Sequence, residues 1–281
     1  MAEGVRGREG VGIVFADMDG TFLDAKKRVP QLNMRALDRL VELDIPFVPC
    51  TGRPVFAVPQ EILSHSATRY VIGANGSVVH VVSSGKTFHP RDIDPGLVIE
   101  LYERIRDLKV TFDVFVDGVV YAPRKRYDAM GSYGIGAAML EMLRKVRQPV
   151  DMDVPQIVAR GGHIEKITCF WGDDEAREGI ERAIAEMSGL SVAKGDPKDF
   201  EFQAEGVSKG SALVWLCEHL GVSVPQSLAF GDEMNDLPLV EAAGWGVAMA
   251  NGNEAVRAAA DDIAPTNDEA GVGTYLLNLL S

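Results

Sequence analysis

The stretch that decides the fold is Val11-Gly12-Ile13-Val14-Phe15-Ala16-Asp17-Met18-Asp19-Gly20-Thr21. Val11 to Ala16 is a short apolar run rich in β-branched residues, the signature of a buried strand. It stops abruptly at Asp17. In an extended segment residues i and i+2 face the same way, so Asp17 and Asp19 emerge together where the strand ends. Gly20 lets the chain turn sharply without a Cβ clash. Ligands of α/β sheets bind beyond the carboxyl ends of strands, so this pair sits where chemistry is expected. A plain polar turn accounts for Asp-x-Asp-Gly equally well on its own. An EF-hand loop does not, because counting from Asp17 places Phe22 where Gly is required and Arg28 where Glu is required. A receiver-type phosphoacceptor Asp remains open on this motif alone.

Working outward, Leu32, Ala36, Leu37, Leu40 and Val41 recur at helical spacing after Pro30. Ile45 to Cys50 reads as the next strand despite Pro46 and Pro49, and residues 70–73 as a third. The far end alternates in the same way. Ala212, Leu213, Leu216 and Leu220 mark a helix, Ser227 to Phe230 a strand, then come a helix from about Asn235 and a strand at Trp245 to Met249. Strand–helix alternation at both ends implies a parallel sheet covered on both faces. The middle is different. Val110 to Val116 and Val119 to Ala122 flank Asp117-Gly118, a tight hairpin turn. A helix carried by Leu97, Val98, Leu101, Ile105 and Leu108 precedes it. His163 to Trp171 and Leu190 to Ala193 read as further strands with an amphipathic helix between them. The expected architecture is α/β: a Rossmann-like parallel-sheet core at 1–88 and 200–281, with an inserted α+β domain at 89–199.

Composition narrows the function. The chain has 281 residues, 46% apolar and 25% charged, with 28 basic and 41 acidic side chains for a net −13. Such a charge repels polyanions, so neither nucleic acid nor an anionic membrane is an expected partner. Cys50, Cys169 and Cys217 fit no metal or redox spacing and read as buried reduced thiols. Met1 to Gly10 is polar and lacks the apolar centre of a signal peptide, and no apolar run approaches the ~18 residues of a membrane span. A cytoplasmic monomer or small homo-oligomer is expected.

A second acidic cluster, Gly231-Asp232-Glu233-Met234-Asn235-Asp236, follows the Ser227 to Phe230 strand. Two such clusters on one sheet can converge on a metal, and carboxylate plus carbonyl oxygens suit Mg²⁺. Helix capping by Asp232 or Asp236 is the simpler alternative. Thr51-Gly52-Arg53 ends the second strand, where a hydroxyl and backbone amides can hold a phosphate. Ser208-Lys209-Gly210 opens a helix, and a lysine there opposes the helix dipole, which favours a functional role.

These four motifs, in this order, resemble the haloacid dehalogenase superfamily of phosphohydrolases. Asp17 to Thr21 looks like its nucleophile loop, Thr51 its second motif, Lys209 its third, and Gly231 to Asp236 its fourth. The insertion matches the position of a C2 cap. Asn75-Gly76, Gly206 to Gly210 and Gly246 to Met249 resemble the Cof-type subgroup (class IIB), which acts mostly on sugar phosphates. Ala250-Asn251-Gly252 departs from that subgroup's more common Gly-Asn-Ala while keeping the Asn.

The resemblance implies a small phosphorylated substrate and a Mg²⁺ cofactor. It makes Asp17 the nucleophile and a metal ligand, gives the backbone carbonyl of Asp19 and the Asp232 carboxylate to the metal, and makes Asp19 the acid and base. Thr51, Lys209 and Asn235 would hold the phosphoryl group and Asp236 would orient Lys209 or a metal-bound water. Gly52 and Arg53 complete the phosphate loop, with Arg53 pointing either to the phosphate or to the cap.

Electrostatics frames the difficulty. An anionic nucleophile ~3.5 Å from a dianion at an effective dielectric of ~20 is repelled by roughly 9 kcal/mol. Four ionised aspartates and a phosphate dianion, against Mg²⁺, Lys209 and Arg53, leave two excess negative charges, or one if a carboxylate is protonated. Crowding of this kind raises a carboxylate pKa, and Asp19 is the expected protonated member. A phosphomutase, or a phosphoacceptor without turnover, are the alternatives. In the insertion, Arg124-Lys125-Arg126 is the basic run. His163 and Glu165 share one strand face, which either lines a pocket or is an exposed sheet face, with Lys166 opposite.

Overall fold

The computed structural model describes residues 10–194 and 197–281. The polar start of the chain, residues 1–9, lies outside them. The described chain forms two compact units, one from 10–90 with 208–281 and one from 91–207. Strands occur in the order β1 (Ile13–Asp17), β2 (Phe47–Cys50), β3 (Tyr70–Gly73), β4 (Val78–Val81) and β5 (Thr87–Phe88). The second unit carries β6 (Asp113–Val116), β7 (Val119–Pro123), β8 (Arg147–Val150), β9 (Ile164–Phe170), β10 (Leu190–Ala193) and β11 (Asp199–Ala204). The chain then returns with β12 (Ser227–Gly231), β13 (Trp245–Met249) and β14 (Asp262–Ala264).

In the first unit eight strands lie in the order β14-β13-β12-β1-β2-β3-β4-β5. The first six are parallel, and β4 and β5 add an antiparallel edge that the helix–strand alternation of the sequence does not announce. β1 shows why the sheet is covered on both faces. Its alternate residues Val14 and Ala16 join a cluster with Ala36, Leu37, Leu40, Val272 and Leu276 from the helices Gln31–Glu42 and Gly271–Leu279. Ile13 and Phe15 join another with Ala212, Leu213, Leu216 and Leu239 from the helices Lys209–Leu220 and Leu237–Ala242. Each Val, Leu, Ile or Phe among them, withdrawn from water, contributes roughly 1.5–3 kcal/mol. β1 is flanked by β12 and β2, so successive crossovers leave in opposite directions. That reversal opens a crevice at the carboxyl ends of β1 and β12.

The second unit is a six-stranded sheet in the order β10-β11-β9-β6-β7-β8, antiparallel except for the β7–β8 pair. The Asp117-Gly118 turn forms as expected, with both residues at positive φ (49° and 77°) as a type I′ turn requires. The strand before it is shorter than expected. Val110 makes only an isolated bridge to Trp171, and the ladder begins at Asp113. The expected boundary between 199 and 200 falls inside β11. Asp199 to Phe202 pair with β9, so the second unit continues to Val207 and the chain returns to the first at Ser208. Cys50, Cys169 and Cys217 are all free and buried, and burial pushes all three thiols up.

Candidate active site

The crevice at the switch point gathers the motif residues of the first unit. Asp17, the last residue of β1, is buried, and its Oδ1 accepts a hydrogen bond from Lys209 Nζ at 2.6 Å. Lys209 is fully buried at the first turn of its helix, whose N-cap Ser208 exchanges hydrogen bonds with Ser211. The same ammonium donates to Asp236 Oδ1. Burial by itself would lower the Lys209 pKa, but the charges of Asp17 and Asp236 outweigh it and hold the ammonium charged. A lysine that the helix dipole disfavours is thus retained by two carboxylates.

Asp236 is committed on both sides. Its Oδ2 accepts the backbone amides of Asp232 and Glu233, each at 3.0 Å, which folds the loop after β12 back on itself. Of the two partners expected for Asp236, Lys209 is the one it contacts. Asp232 is brought opposite Asp17 across the crevice, with Thr21 Oγ1 donating to its Oδ1 at 2.6 Å. Asp17, Asp232 and Asp236 offer oxygens that all lie within 4.8 Å of one another. Burial, then Asp236 and other nearby negative charge, pushes Asp17 well above the ordinary carboxylate range, against the pull of Lys209. Burial and Asp236 push Asp232 up to about 7.

Gly20 shows how tightly the two loops meet. Its φ is +91°, and a Cβ there would lie 2.2 Å from Asp232 Oδ2. Asn251 Nδ2 holds the Gly20 carbonyl at 2.9 Å and Asn251 Oδ1 accepts Asn267 N, so the third loop of the crevice braces the first.

Asp19 occupies a different environment from the one its crowding in sequence suggests. Its side chain is 31% exposed and its Oδ1 meets Arg53 Nη2 and Lys27 Nζ, both at 2.6 Å. The concentration of negative charge falls on Asp17 and Asp232. Arg53 is directed at Asp19, and its backbone amide donates to Thr51 Oγ1 at 3.1 Å across Gly52. Asn75 stands beside this turn at φ +57° with its amide on the Thr51 carbonyl. Asn235 reaches Asn75 through a long 3.4 Å contact.

Thr21 and Lys27 reach the site by routes the strand end does not supply. Thr21 lies past the sharp turn at Gly20, where the i, i+2 register of a strand no longer holds. Lys27 carries no local signal, because its position depends on how residues 24–28 fold.

The clustered donors are all aspartate oxygens, which suit a hard divalent cation. With Asp236 engaged by Lys209 and two amides, the carboxylates of Asp17 and Asp232 are the ones left to fit it.

The second unit places its charges otherwise. Lys166 pairs with Glu201, and Arg147 Nε with Asp113 Oδ2 at 2.6 Å, both pairs buried. Glu165 Oε1 accepts the Gly118 amide at 2.9 Å, and burial pushes this carboxyl up to about 7. His163 meets Asp92 at 2.8 Å. In the basic run, Arg124 pairs with Asp151 and Arg126 donates to the carbonyls of Val110 and Arg106.

A buried aspartate at a strand end, a lysine fixed on it and a second acidic loop thus meet at a switch point of a parallel sheet. The profile of the haloacid dehalogenase-like hydrolases matches residues 14–276, so the chain belongs to that family. It is a phosphatase of that kind. It is similar to the phosphatase YwpJ of Bacillus subtilis (strain 168), 27% identical over 95% of this chain and 99% of that one. It is also similar to the HMP-PP phosphatase of Citrobacter koseri, 28% identical over 84% and 82% of the two chains. The solved structure of a haloacid dehalogenase-like hydrolase from B. subtilis superposes with a TM-score of 0.79 at 26% identity, covering 96% of this chain and all of that one. No helix among the described residues is long and apolar enough to cross a membrane.

Proposed function

We propose that the chain is a Mg²⁺-dependent phosphatase of small phosphate monoesters, sugar phosphates foremost, working through an aspartyl-phosphate on Asp17. The observation that carries this reading is the buried Asp17 carboxylate held by Lys209 opposite Asp232. One oxygen of Asp17 attacks phosphorus, the bond to the ester oxygen breaks, and Asp19 gives the departing alkoxide its proton. Asp19, now a carboxylate, takes a proton from water. That water attacks the phosphorus of the aspartyl-phosphate, the bond to Asp17 breaks, and inorganic phosphate leaves. Lys209, fixed by Asp236, and the Thr51 to Arg53 turn hold phosphoryl oxygens, with Asn235 at the rim. Mg²⁺ bound by Asp17, Asp232 and the Asp19 carbonyl would supply the positive charge that lets an anion meet a dianion. The unit 91–207 is read as the inserted cap. Sugar phosphates are favoured by the subgroup resemblance, and large anions are disfavoured by the net charge of −13.

The test is phosphate release from a generic aryl phosphate and a panel of sugar, nucleotide and cofactor phosphates, with Mg²⁺, for wild type and Asp17→Asn. Wild type should release inorganic phosphate over many turnovers and the variant should lose at least ~10³-fold. A correctly folded Asp17→Asn that keeps most of its activity overturns the mechanism. An isomerised sugar phosphate in place of free phosphate identifies a mutase.

A further inference from the structure

Lys27 stands in the left-handed backbone region, at φ +60°, where a residue with a Cβ is strained. The loop around it is fixed. The Asp24 carboxylate accepts the amides of Lys26 at 2.9 Å and Arg28 at 2.8 Å, and the Arg28 guanidinium at 2.8 and 2.6 Å. The Lys27 amide donates to the Asp24 carbonyl at 2.8 Å, and the Asp24 amide to the Arg28 carbonyl at 2.9 Å. From this loop the Lys27 side chain meets Asp19 Oδ1 at 2.6 Å, the oxygen that also takes Arg53. The side chains of Lys27 and Asp19 are 55% and 31% exposed. The loop's own hydrogen bonds hold the Lys27 backbone in place, and an ion pair this open adds little stability of its own. What the contact does is hold one carboxyl oxygen of Asp19 between two cations.

We propose that Lys27 is a positioning residue of the active site: with Arg53 it fixes where the Asp19 carboxyl sits. The inference rests on reading Asp19 as the proton donor and acceptor.

The experiment compares Lys27→Met, Lys27→Arg, Lys27→Gly and Asp19→Asn with wild type. It measures kcat/KM on an alkyl phosphate and on p-nitrophenyl phosphate, together with Tm. The alkyl ester needs a proton on its leaving oxygen and the aryl ester does not. Lys27→Met should lose about 10-fold or more on the alkyl ester and under about 3-fold on the aryl ester, mostly in kcat. Lys27→Arg should recover most of the loss. Lys27→Gly should show the same selective loss with an unchanged or higher Tm, because the backbone strain is gone. Equal losses on both esters, a loss that follows a lowered Tm, or no loss each overturns the proposal. If Asp19→Asn itself shows no preference between esters, the acid role fails and this proposal fails with it. Loss of the phosphatase reading as a whole would show separately, as wild type releasing no phosphate from either ester.

Discussion

Replacing Asp232 by Asn should stabilise the metal-free protein, and do so in a pH-dependent way. Asp232 is pushed up to about 7 by burial and by Asp236, from an ordinary value of 3.8. The folded state therefore binds its proton more tightly than the unfolded chain does. The stability this proton contributes is complete below pH ~4, falls by about 1.4 kcal/mol per pH unit above it, and is gone once pH has passed about 7. Asn carries no such penalty and keeps an oxygen for Thr21 Oγ1, which donates to Asp232 at 2.6 Å. Between pH 5 and pH 8 the variant should gain about 3 kcal/mol on wild type, or roughly 6–12 °C in Tm for a unit of this size. Thermal melts in EDTA at unit steps from pH 5 to pH 9 measure it: the difference should climb and then level off above about pH 7. Saturating Mg²⁺ should raise the wild-type Tm at pH 8 and leave the variant nearly unmoved. A difference that does not depend on pH, or a variant less stable than wild type at pH 8, refutes the reasoning.

Lys209→Met strips the counter-ion from buried Asp17 and Asp236. It should lose about 3–5 kcal/mol in urea denaturation at pH 8 and less at pH 5, where the carboxylates can take up protons, with turnover abolished at both. Gly20→Ala places a methyl 2.2 Å from Asp232 Oδ2 at φ +91°. It should cost about 1–3 kcal/mol by thermal melt and about 10²-fold in kcat, because Asp232 must move to admit it.

The residues legible in the sequence share a property: their placement follows from a short stretch of chain. Asp17 and Asp19 follow from the end of an apolar strand, Asp232 from the end of another, and Lys209 from a helix start where its charge is out of place. The places where expectation and structure part are those decided at a distance. β11 carries Asp199, Glu201 and Gln203 on alternate positions, polar enough to look like the end of a domain. Its pairing with β9 buries them and moves the boundary to Val207. β8 contains Pro149 and reads poorly as a strand, yet it lies at the edge of its sheet, where a missing donor is tolerated. Crowding along the sequence weights all four aspartates alike. Burial separates them, and only the folded chain shows that Asp19 lies between Arg53 and Lys27 while Asp17 and Asp232 do not.

The buried charge of the crevice argues for a cation. In 91–207 Lys166 pairs with Glu201 and Arg147 with Asp113, while buried Glu165 accepts the Gly118 amide and is pushed up to about 7. In the crevice of the first unit three buried aspartates face one buried lysine, leaving two negative charges uncompensated. Protonation relieves part of that, which is why Asp17 and Asp232 are pushed upward. A divalent cation would remove the whole excess and return both groups to their ionised forms. A monovalent cation would remove half. An incoming dianion then restores two negative charges. Metal and substrate are therefore expected to bind with mutual support. The dianion should bind poorly without the cation, and the affinity for Mg²⁺, followed by calorimetry with Asp17→Asn to block turnover, should be governed mainly by Asp232 and not by Asp236, whose oxygens Lys209 and two backbone amides already hold.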